Sequence, residues 1–130
     1  MGRTVNDRCV TVLVVDDDAA VRSSLKFALE IEGFKVRLYD RAAGVLSDRD
    51  LPADGCLVTD LRMPGMDGLQ LVESLRQRDV ALPAILMVSE QASRSLRTRA
   101  GLAGVSEILE KPLSDCVLVK TIEHLCQPTA

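Results

Sequence analysis

The chain alternates between short apolar runs and segments with helical periodicity, and this alternation constrains the fold more than any other feature. Continuous apolar runs such as VTVLVV at 10–15 are typical of strands buried on both faces of a sheet. Between the runs, apolar residues recur at helical spacing, as Val21, Leu25 and Leu29 do before Gly33 ends the helix. The predicted strands are 10–15, 34–39, 55–60, 84–89 and 106–110, and the predicted helices are 19–32, 41–48, 68–78, 91–103 and a last helix opened by Pro112 and Ser114. The segment 91–103 has the weakest helical pattern, because it contains Gly101 and only a thin apolar stripe.

Five strand–helix repeats with short connections predict an α/β fold, in which a parallel sheet is covered by helices on both faces. A chain of 130 residues is long enough to bury a core within one domain. We therefore expect a single domain over 1–130, with a core of about 9–126.

The composition excludes several classes of function. Aromatic residues make up only 2% of the chain, so stacking of bases on exposed rings is not available to it. The net charge of −3 argues against a domain that binds nucleic acid by itself. There is no apolar run of membrane-spanning length and no signal-peptide pattern in the sequence, so we expect a cytoplasmic location with no membrane contact.

The cysteines do not form a metal-binding or disulfide pattern. Cys9, Cys56, Cys116 and Cys126 show no Cys-x-x-Cys spacing, and His124 is the only histidine in the sequence. A zinc site is therefore not expected. We interpret all four as reduced, small hydrophobic residues near the core.

Charged and hydroxyl side chains follow the predicted strands at the points where the strands end. Asp16 and Asp17 follow the first strand, Asp60 ends the third, Ser89 ends the fourth and Lys111 follows the fifth. Ligands of open parallel sheets bind at the carboxyl ends of the strands, so we expect these side chains to converge there. The stretch CLVTDLRMPGMDG at 56–68 supports this, because its apolar loop can pack down behind Asp60 and hold it at that edge.

Converging carboxylates predict a cation between them, because like charges at short range repel. Oxygen ligands without histidine or cysteine select a hard cation, and Mg²⁺ is the abundant one, with Mn²⁺ able to replace it. A carboxylate beside such an ion and Lys111 can act as a nucleophile toward a phosphoryl group. Taken singly, each signal has an ordinary explanation: Asp18, for example, is expected to be only the N-cap of the first helix.

The motifs LVVDDD, LVTDLRMPGMDGLQL, ILMVS and LEKP occur in the order and spacing of the receiver domain of two-component response regulators, and the chain resembles this family over nearly its whole length. The phrase VTDLRMPGMDG is most similar to receivers of the nitrogen-fixation transcription regulators. The resemblance implies a flavodoxin-like (βα)5 doubly wound sheet with strand order 2-1-3-4-5. It also implies Asp60 as the phosphoacceptor, Asp16, Asp17, Asp60 and the backbone carbonyl of Arg62 as metal ligands, and Lys111 and Ser89 as residues that contact the phosphoryl group. The Lys111–Pro112 bond is expected to be cis.

The resemblance further implies a histidine kinase or phosphotransfer protein as the phosphoryl donor. Phosphorylation would remodel the surface formed by the fourth helix, fifth strand and fifth helix, through which an output partner or a second copy of the chain would bind. Such a domain is not a turnover enzyme, although it can lose its own phosphoryl group. Transcription regulation would require a further domain.

Three positions depart from the family pattern. Ile108 stands where the family usually has Phe or Tyr, so an aromatic switch is missing. Glu90 follows Ser89 where a small residue is usual, and its charge would lie beside the phosphoryl site. Three arginines, Arg94, Arg97 and Arg99, crowd the fourth helix, where they form a solvated face, a contact for an acidic partner or a clamp on Glu90.

Two alternative functions are open, the first of them suggested by Ile108 and Glu90. One is an adaptor that binds its partner independently of phosphorylation. The other is a Mg²⁺-dependent phosphatase with an aspartyl-phosphate intermediate, but such enzymes usually carry a second Asp at the position of Arg62 and a cap domain.

Overall fold

A computed structural model describes residues 10–126. Five strands in this part of the chain form a parallel sheet in the order β2-β1-β3-β4-β5. Helices alternate with the strands along the chain. The elements are β1 Thr11–Val15, α1 Ala19–Ile31, β2 Lys35–Tyr39, α2 Ala42–Leu46, β3 Gly55–Asp60, α3 Gly68–Gln77, β4 Ala84–Val88, α4 Arg94–Ala103, β5 Glu107–Glu110 and α5 Asp115–Leu125. The predicted flavodoxin-like fold and its strand order are confirmed.

The burial of each strand follows its position in the sheet. The three inner strands β1, β3 and β4 are buried at every residue, as their continuous apolar runs predict. The outer strands β2 and β5 are only partly buried, because each pairs on one side alone. The predicted bounds of all five strands agree with the structure to within one residue at either end.

The core lies on both faces of the sheet, and β1 shows how one strand supplies both. Val12 and Val14 face a cluster that contains Leu29 of α1, whereas Leu13 and Val15 belong to a second cluster beneath α2 and α3. Successive side chains of a strand point to opposite faces, so an unbroken apolar run is what a sheet covered on both sides requires. A third, smaller cluster lies under α4.

The helices begin at side-chain caps that the sequence supplies. Asp18 accepts hydrogen bonds from the backbone N–H groups of Ala20 and Val21, which confirms it as the N-cap of α1. The hydroxyl of Ser93 caps the start of α4. Gly104 follows the last residue of this helix and has the left-handed backbone conformation that often ends helices. The weak pattern over 91–103 therefore does form a helix, although residues 91–93 lie outside it.

One expectation about the cysteines is wrong. Cys56 is buried and Cys126 is half-buried, but Cys116 lies exposed on α5 and is not a core residue. It is the second residue of the helix, where the apolar stripe of Leu118 and Ile122 faces away from it. Cys9 lies outside the described residues.

Among residues 10–126, none of the helices has the length and the apolar character needed to cross a membrane.

Candidate functional site

The carboxyl ends of β1 and β3 bring three carboxylates together. Val15 pairs with Thr59 in the register of these two strands, so the next residues, Asp16 and Asp60, leave the sheet side by side. One oxygen from each of Asp16, Asp17 and Asp60 lies within 4.8 Å of the others. Asp16 is fully buried and Asp60 is 6% exposed, whereas Asp17 is exposed to solvent.

Lys111 enters this cluster from the end of β5. Its Nζ lies 3.1 Å from Oδ2 of Asp16 and 3.3 Å from Oδ2 of Asp60. The backbone N–H of Lys111 donates to the carbonyl of Val88, which ties it to the end of β4. The Lys111–Pro112 bond is cis, as expected.

The environment of the cluster raises the pKa values of both Asp60 and Lys111. Burial raises the pKa of Asp60, the charge of Asp16 raises it further, and Lys111 opposes both effects. Burial lowers the pKa of Lys111, but the hydrogen bond and charge of Asp16 and the charge of Asp60 outweigh it, so the pKa is raised. Lys111 therefore stays an ammonium group between two buried carboxylates.

The donor set fits a divalent cation. Three carboxylates face one ammonium group, which leaves about two negative charges without compensation when all are ionised. All three offer oxygen atoms, which hard cations such as Mg²⁺ prefer. The exposure of Asp17 leaves one side of the cluster open to a ligand from solvent.

The loop after Asp60 is packed down by its apolar side chains, as the sequence predicts. Met63 is 8% exposed and belongs to the cluster beneath α2 and α3, against which Met66 also packs, while Leu61 packs against the cluster under α4. Gly68, the first residue of α3, lies against the backbone of Asp60, and a Cβ there would overlap the carbonyl oxygen of Asp60. The loop thus holds the end of β3 from behind.

Ser89 directly follows β4, at the rim of this edge of the sheet and beside Lys111. It lines a cavity of about 480 Å³ together with Lys111 and Val21. Its side chain is exposed and makes no hydrogen bond with another described residue. A free hydroxyl at this edge is available to a group that arrives beside Lys111.

The three departures from the family pattern have distinct positions. Ile108 is partly buried and packs against the cluster under α4. Glu90 pairs with Arg62 at 3.8 Å, so its ion-pair partner in the described part of the chain is not one of the α4 arginines that we considered as a clamp. Arg94, Arg97 and Arg99 are all exposed, as a solvated face predicts.

Sequence reasoning missed two residues that support the site. Nη1 of Arg22 donates a 2.7 Å hydrogen bond to the backbone carbonyl of Asp16, which anchors the first strand end to α1. Its position one turn after the N-cap Asp18 is a signal that could have pointed to this role. The sequence marks Gly68 only as the start of a helix, because the close approach of two backbones produces no pattern in a single sequence.

Comparison with known proteins gives a consistent result. A family model described as the response regulator receiver domain matches residues 12–123. The chain is 38% identical over 112 residues to the transcriptional regulatory protein FixJ of Bradyrhizobium diazoefficiens, covering 86% of this chain and 54% of that protein. It is 36% identical over 114 residues to FixJ of Rhizobium meliloti, covering 88% of this chain and 55% of that protein. This chain therefore spans about half the length of these curated relatives.

The solved structures agree with the sequence comparison. The crystal structure of FixJ-N superposes with a TM-score of 0.82 at 34% identity, covering 93% of this chain and 96% of that one. The expected likeness to regulators of this type is thus confirmed. With the order of its strands, the acidic cluster at their carboxyl ends and these matches in agreement, the chain belongs to the response regulator receiver domain family.

Proposed function

We propose that Asp60 of this receiver domain accepts a phosphoryl group from the phosphohistidine of a histidine kinase or phosphotransfer protein. One observation carries the proposal: the nearly buried Asp60 lies in contact with Lys111 and within 4.8 Å of Asp16 and Asp17. Phosphoryl transfer needs positioning and neutralisation of charge more than covalent help from the protein. This cluster offers both on one carboxylate.

In this proposal each side chain has a separate task. Asp16, Asp17, Asp60 and the backbone carbonyl of Arg62 would hold Mg²⁺, or Mn²⁺ in its place. When bound, the ion supplies positive charge that stabilises the phosphoryl oxygens. An oxygen of Asp60 forms the new bond to phosphorus as the bond from phosphorus to the donor nitrogen breaks, and the donor imidazole takes up a proton. Lys111 binds an oxygen of the transferred group from the β5 side.

Phosphorylation would then act on α4, β5 and α5. The new group adds negative charge beside Lys111, within reach of the rim where Ser89 lies. Ser89 donates its hydroxyl to the phosphoryl group and draws the β4–α4 connection inward, which changes the surface that α4, β5 and α5 present. A partner that prefers the changed surface, or a second copy of the chain, binds there.

The domain is proposed to act in signalling and not as a turnover enzyme, with slow loss of its own phosphoryl group resetting it. Its relatives named above are transcriptional regulatory proteins that this chain matches over about half of their length, so control of transcription would pass through a partner or another domain. We propose a cytoplasmic location and no direct contact of this domain with nucleic acid.

The two alternative functions lack a supporting observation. In the phosphatase hypothesis, Arg62 takes the place of the second acid, and its side chain is 77% exposed and directed to Glu90. In the adaptor hypothesis, the acidic cluster and its contact with Lys111 would have no task, although their burial is costly.

The direct test is the intact mass of the protein after incubation with Mg²⁺ and a small acyl phosphate. We expect one added phosphoryl group, which does not form when a chelator is present during the incubation and does not form in Asp60→Asn. Asp50→Asn is the matched control, because Asp50 is an exposed carboxyl on the α2–β3 connection, and it should be labelled as the wild type is.

An adduct that persists in Asp60→Asn would overturn the assignment of the acceptor. If neither the acyl phosphate nor a cognate kinase gives an adduct on folded protein, the adaptor becomes the better hypothesis. Steady turnover of a phosphomonoester would favour the phosphatase.

A further inference from the structure

We propose that Cys56 and Cys126 form a site of reversible oxidation, at which a hydroperoxide converts the two thiols into a disulfide between the start of β3 and the end of α5. The pair is independent of the phosphoryl site. Cys56 is the second residue of β3 and Asp60 is the last, so the two sites lie at opposite ends of the same strand.

The packing of α5 against the sheet brings the two cysteines together. Cys126 is the C-cap of α5, and its side chain packs against the cluster that contains Cys56. Its Sγ donates to the backbone carbonyl of Gly55, the neighbour of Cys56, at 3.6 Å. The Sγ of Cys56 donates to the backbone carbonyl of Leu57 at 3.8 Å, and the two thiols lie near enough for each to shift the pKa of the other.

The environments of the two thiols differ in the way that oxidation to a disulfide requires. Cys126 is half-buried and can meet a small oxidant, whereas Cys56 is fully buried and not accessible to an oxidant in solvent. The neighbouring thiol of Cys56 lowers the pKa of Cys126, although burial and the charge of Asp54 oppose it. The thiol of Cys126 and burial raise the pKa of Cys56. Cys126 is therefore the thiol that attacks and Cys56 the one that resolves.

The chemistry balances with a hydroperoxide as the only co-reactant. The thiolate of Cys126 attacks one peroxide oxygen, the O–O bond breaks, and the products are a sulfenic acid and, after protonation, water or an alcohol. The thiol of Cys56 then attacks the sulfenic sulfur, the S–S bond forms, and the hydroxyl leaves as water with the proton of Cys56. Two electrons pass from the two thiols to the peroxide, and two equivalents of a small thiol, or one dithiol, reduce the disulfide again and are themselves oxidised to a disulfide.

Formation of the disulfide would tie α5 to β3 covalently. The helix α5 otherwise reaches this end of the sheet through the side chains of the cluster it shares with β1 and β3, such as Leu118 and Ile122. A covalent tie at its last turn would limit movement of α5, which is one of the three elements of the proposed switching surface.

The test is oxidation of the reduced protein, as the chain of 130 residues, with hydrogen peroxide, followed by blocking of free thiols with N-ethylmaleimide. Before blocking, we expect the oxidised protein to be two hydrogens lighter than the reduced form. After digestion under non-reducing conditions, the fragment that contains Cys56 should be joined by a disulfide to the fragment that contains Cys126. Dithiothreitol should restore the original mass.

The chain provides matched controls. Cys126→Ser and Cys56→Ala should each abolish the internal disulfide, and Cys126→Ser keeps Cys56 buried in case Cys56→Ala does not fold. Cys116→Ser and Cys9→Ser should form the disulfide at the wild-type rate, since Cys116 is exposed on the same helix away from this pair. A cross-link that includes Cys9 or Cys116, oxidation of Cys126 to sulfinic acid without a disulfide, or absence of reaction would each overturn the proposal.

Discussion

Asp60 places an ionisable carboxyl group of the proposed site where its burial lowers the stability of the fold. Its carboxyl group is nearly buried beside the fully buried Asp16, and burial is the first cause of its raised pKa. Lys111 offsets part of this by contact with both carboxylates. The acidic cluster thus carries an electrostatic cost in the folded protein, and a bound cation would offset that cost.

We predict that Asp60→Asn is more stable than the wild type at neutral pH when divalent cations are absent. The raised pKa means that the folded protein holds the proton of Asp60 more tightly than the unfolded chain does. The contribution of Asp60 to stability is therefore greatest below its unfolded-state pKa and declines as the pH rises through its raised folded-state value. The advantage of Asp60→Asn should grow over the same window and then level off.

Urea unfolding followed by circular dichroism at a series of pH values measures this difference, with Asp50→Asn as the control that should follow the wild type. Addition of Mg²⁺ should narrow the gap, because it stabilises only a protein that can bind it. Lower stability of Asp60→Asn at neutral pH would show that the pair with Lys111 outweighs the burial of the charge.

Ser89 is the residue that would connect phosphorylation to the switching surface. We predict that Ser89→Ala still takes up a phosphoryl group on Asp60, because the substitution leaves the three carboxylates and the contact of Asp60 with Lys111 in place. The rate of hydrogen exchange in α4 should then differ less between the phosphorylated and unphosphorylated forms of Ser89→Ala than it does between those of the wild type. Ser95→Ala, an exposed serine on α4, is the control. An undiminished difference in Ser89→Ala would refute the coupling.

At the scale of elements, α4 is held less firmly than its neighbours. Within Arg94–Ala103 only Ala100 and Ala103 are buried, and both are small. Its end is fixed by Nη2 of Arg76, which donates to the carbonyl of Gly104 at 2.8 Å. Little buried apolar area and an interior glycine are the features of a segment that opens at low free-energy cost.

We predict opposite effects of the same substitution in two helices. Gly101→Ala should stabilise the protein by about 0.5–1 kcal/mol, because no atom lies near the new Cβ and alanine loses less backbone entropy. Gly68→Ala should destabilise it, because the Cβ would overlap the carbonyl oxygen of Asp60 at the start of α3.

Chemical denaturation gives both changes in stability, and hydrogen exchange should show slower opening of α4 in Gly101→Ala alone. Equal effects of the two substitutions would contradict the close approach of α3 to β3. Faster exchange of α4 in Gly101→Ala would contradict the assignment of Gly101 as an unstrained helical glycine.

At the scale of the whole molecule, one sheet joins the cores on its two faces. Leu29 of α1 and Leu71 of α3 are both fully buried but belong to different clusters. The strands between them contribute alternate side chains to each cluster, so loss of packing on one face weakens the sheet that both faces share.

We predict that Leu29→Ala and Leu71→Ala each lower the free energy of unfolding by about 2–5 kcal/mol in one cooperative transition. Leu102→Ala should change it by less than about 0.5 kcal/mol, because Leu102 is 85% exposed. Circular dichroism and the fluorescence of Tyr39 should report the same midpoint in every variant. Separate midpoints would mean that the two faces unfold independently.

Much of the fold could be predicted because its signals are local. The run of β3 at 55–60 and the start of α3 at Gly68 follow from periodicity and capping within a few residues, and both agree with the structure. Asp16, Asp60 and Lys111 could be placed at one edge because each directly follows a strand. The exposed Cys116 was predicted wrongly, since hydrophobicity of a residue type does not state which face of a helix it occupies.

Local patterns in the sequence specify the strands and helices, their alternation along the chain and the residues available at the carboxyl ends of the strands, because each depends on near neighbours. Which of those residues touch depends instead on the packing of the whole fold. The contact of Lys111 with Asp16 joins residues 95 positions apart. The pairing of Glu90 with Arg62, the fit of Gly68 against Asp60 and the meeting of Cys56 with Cys126 likewise depend on how elements pack. Distances of this kind are set by the whole core at once, so no local pattern records them.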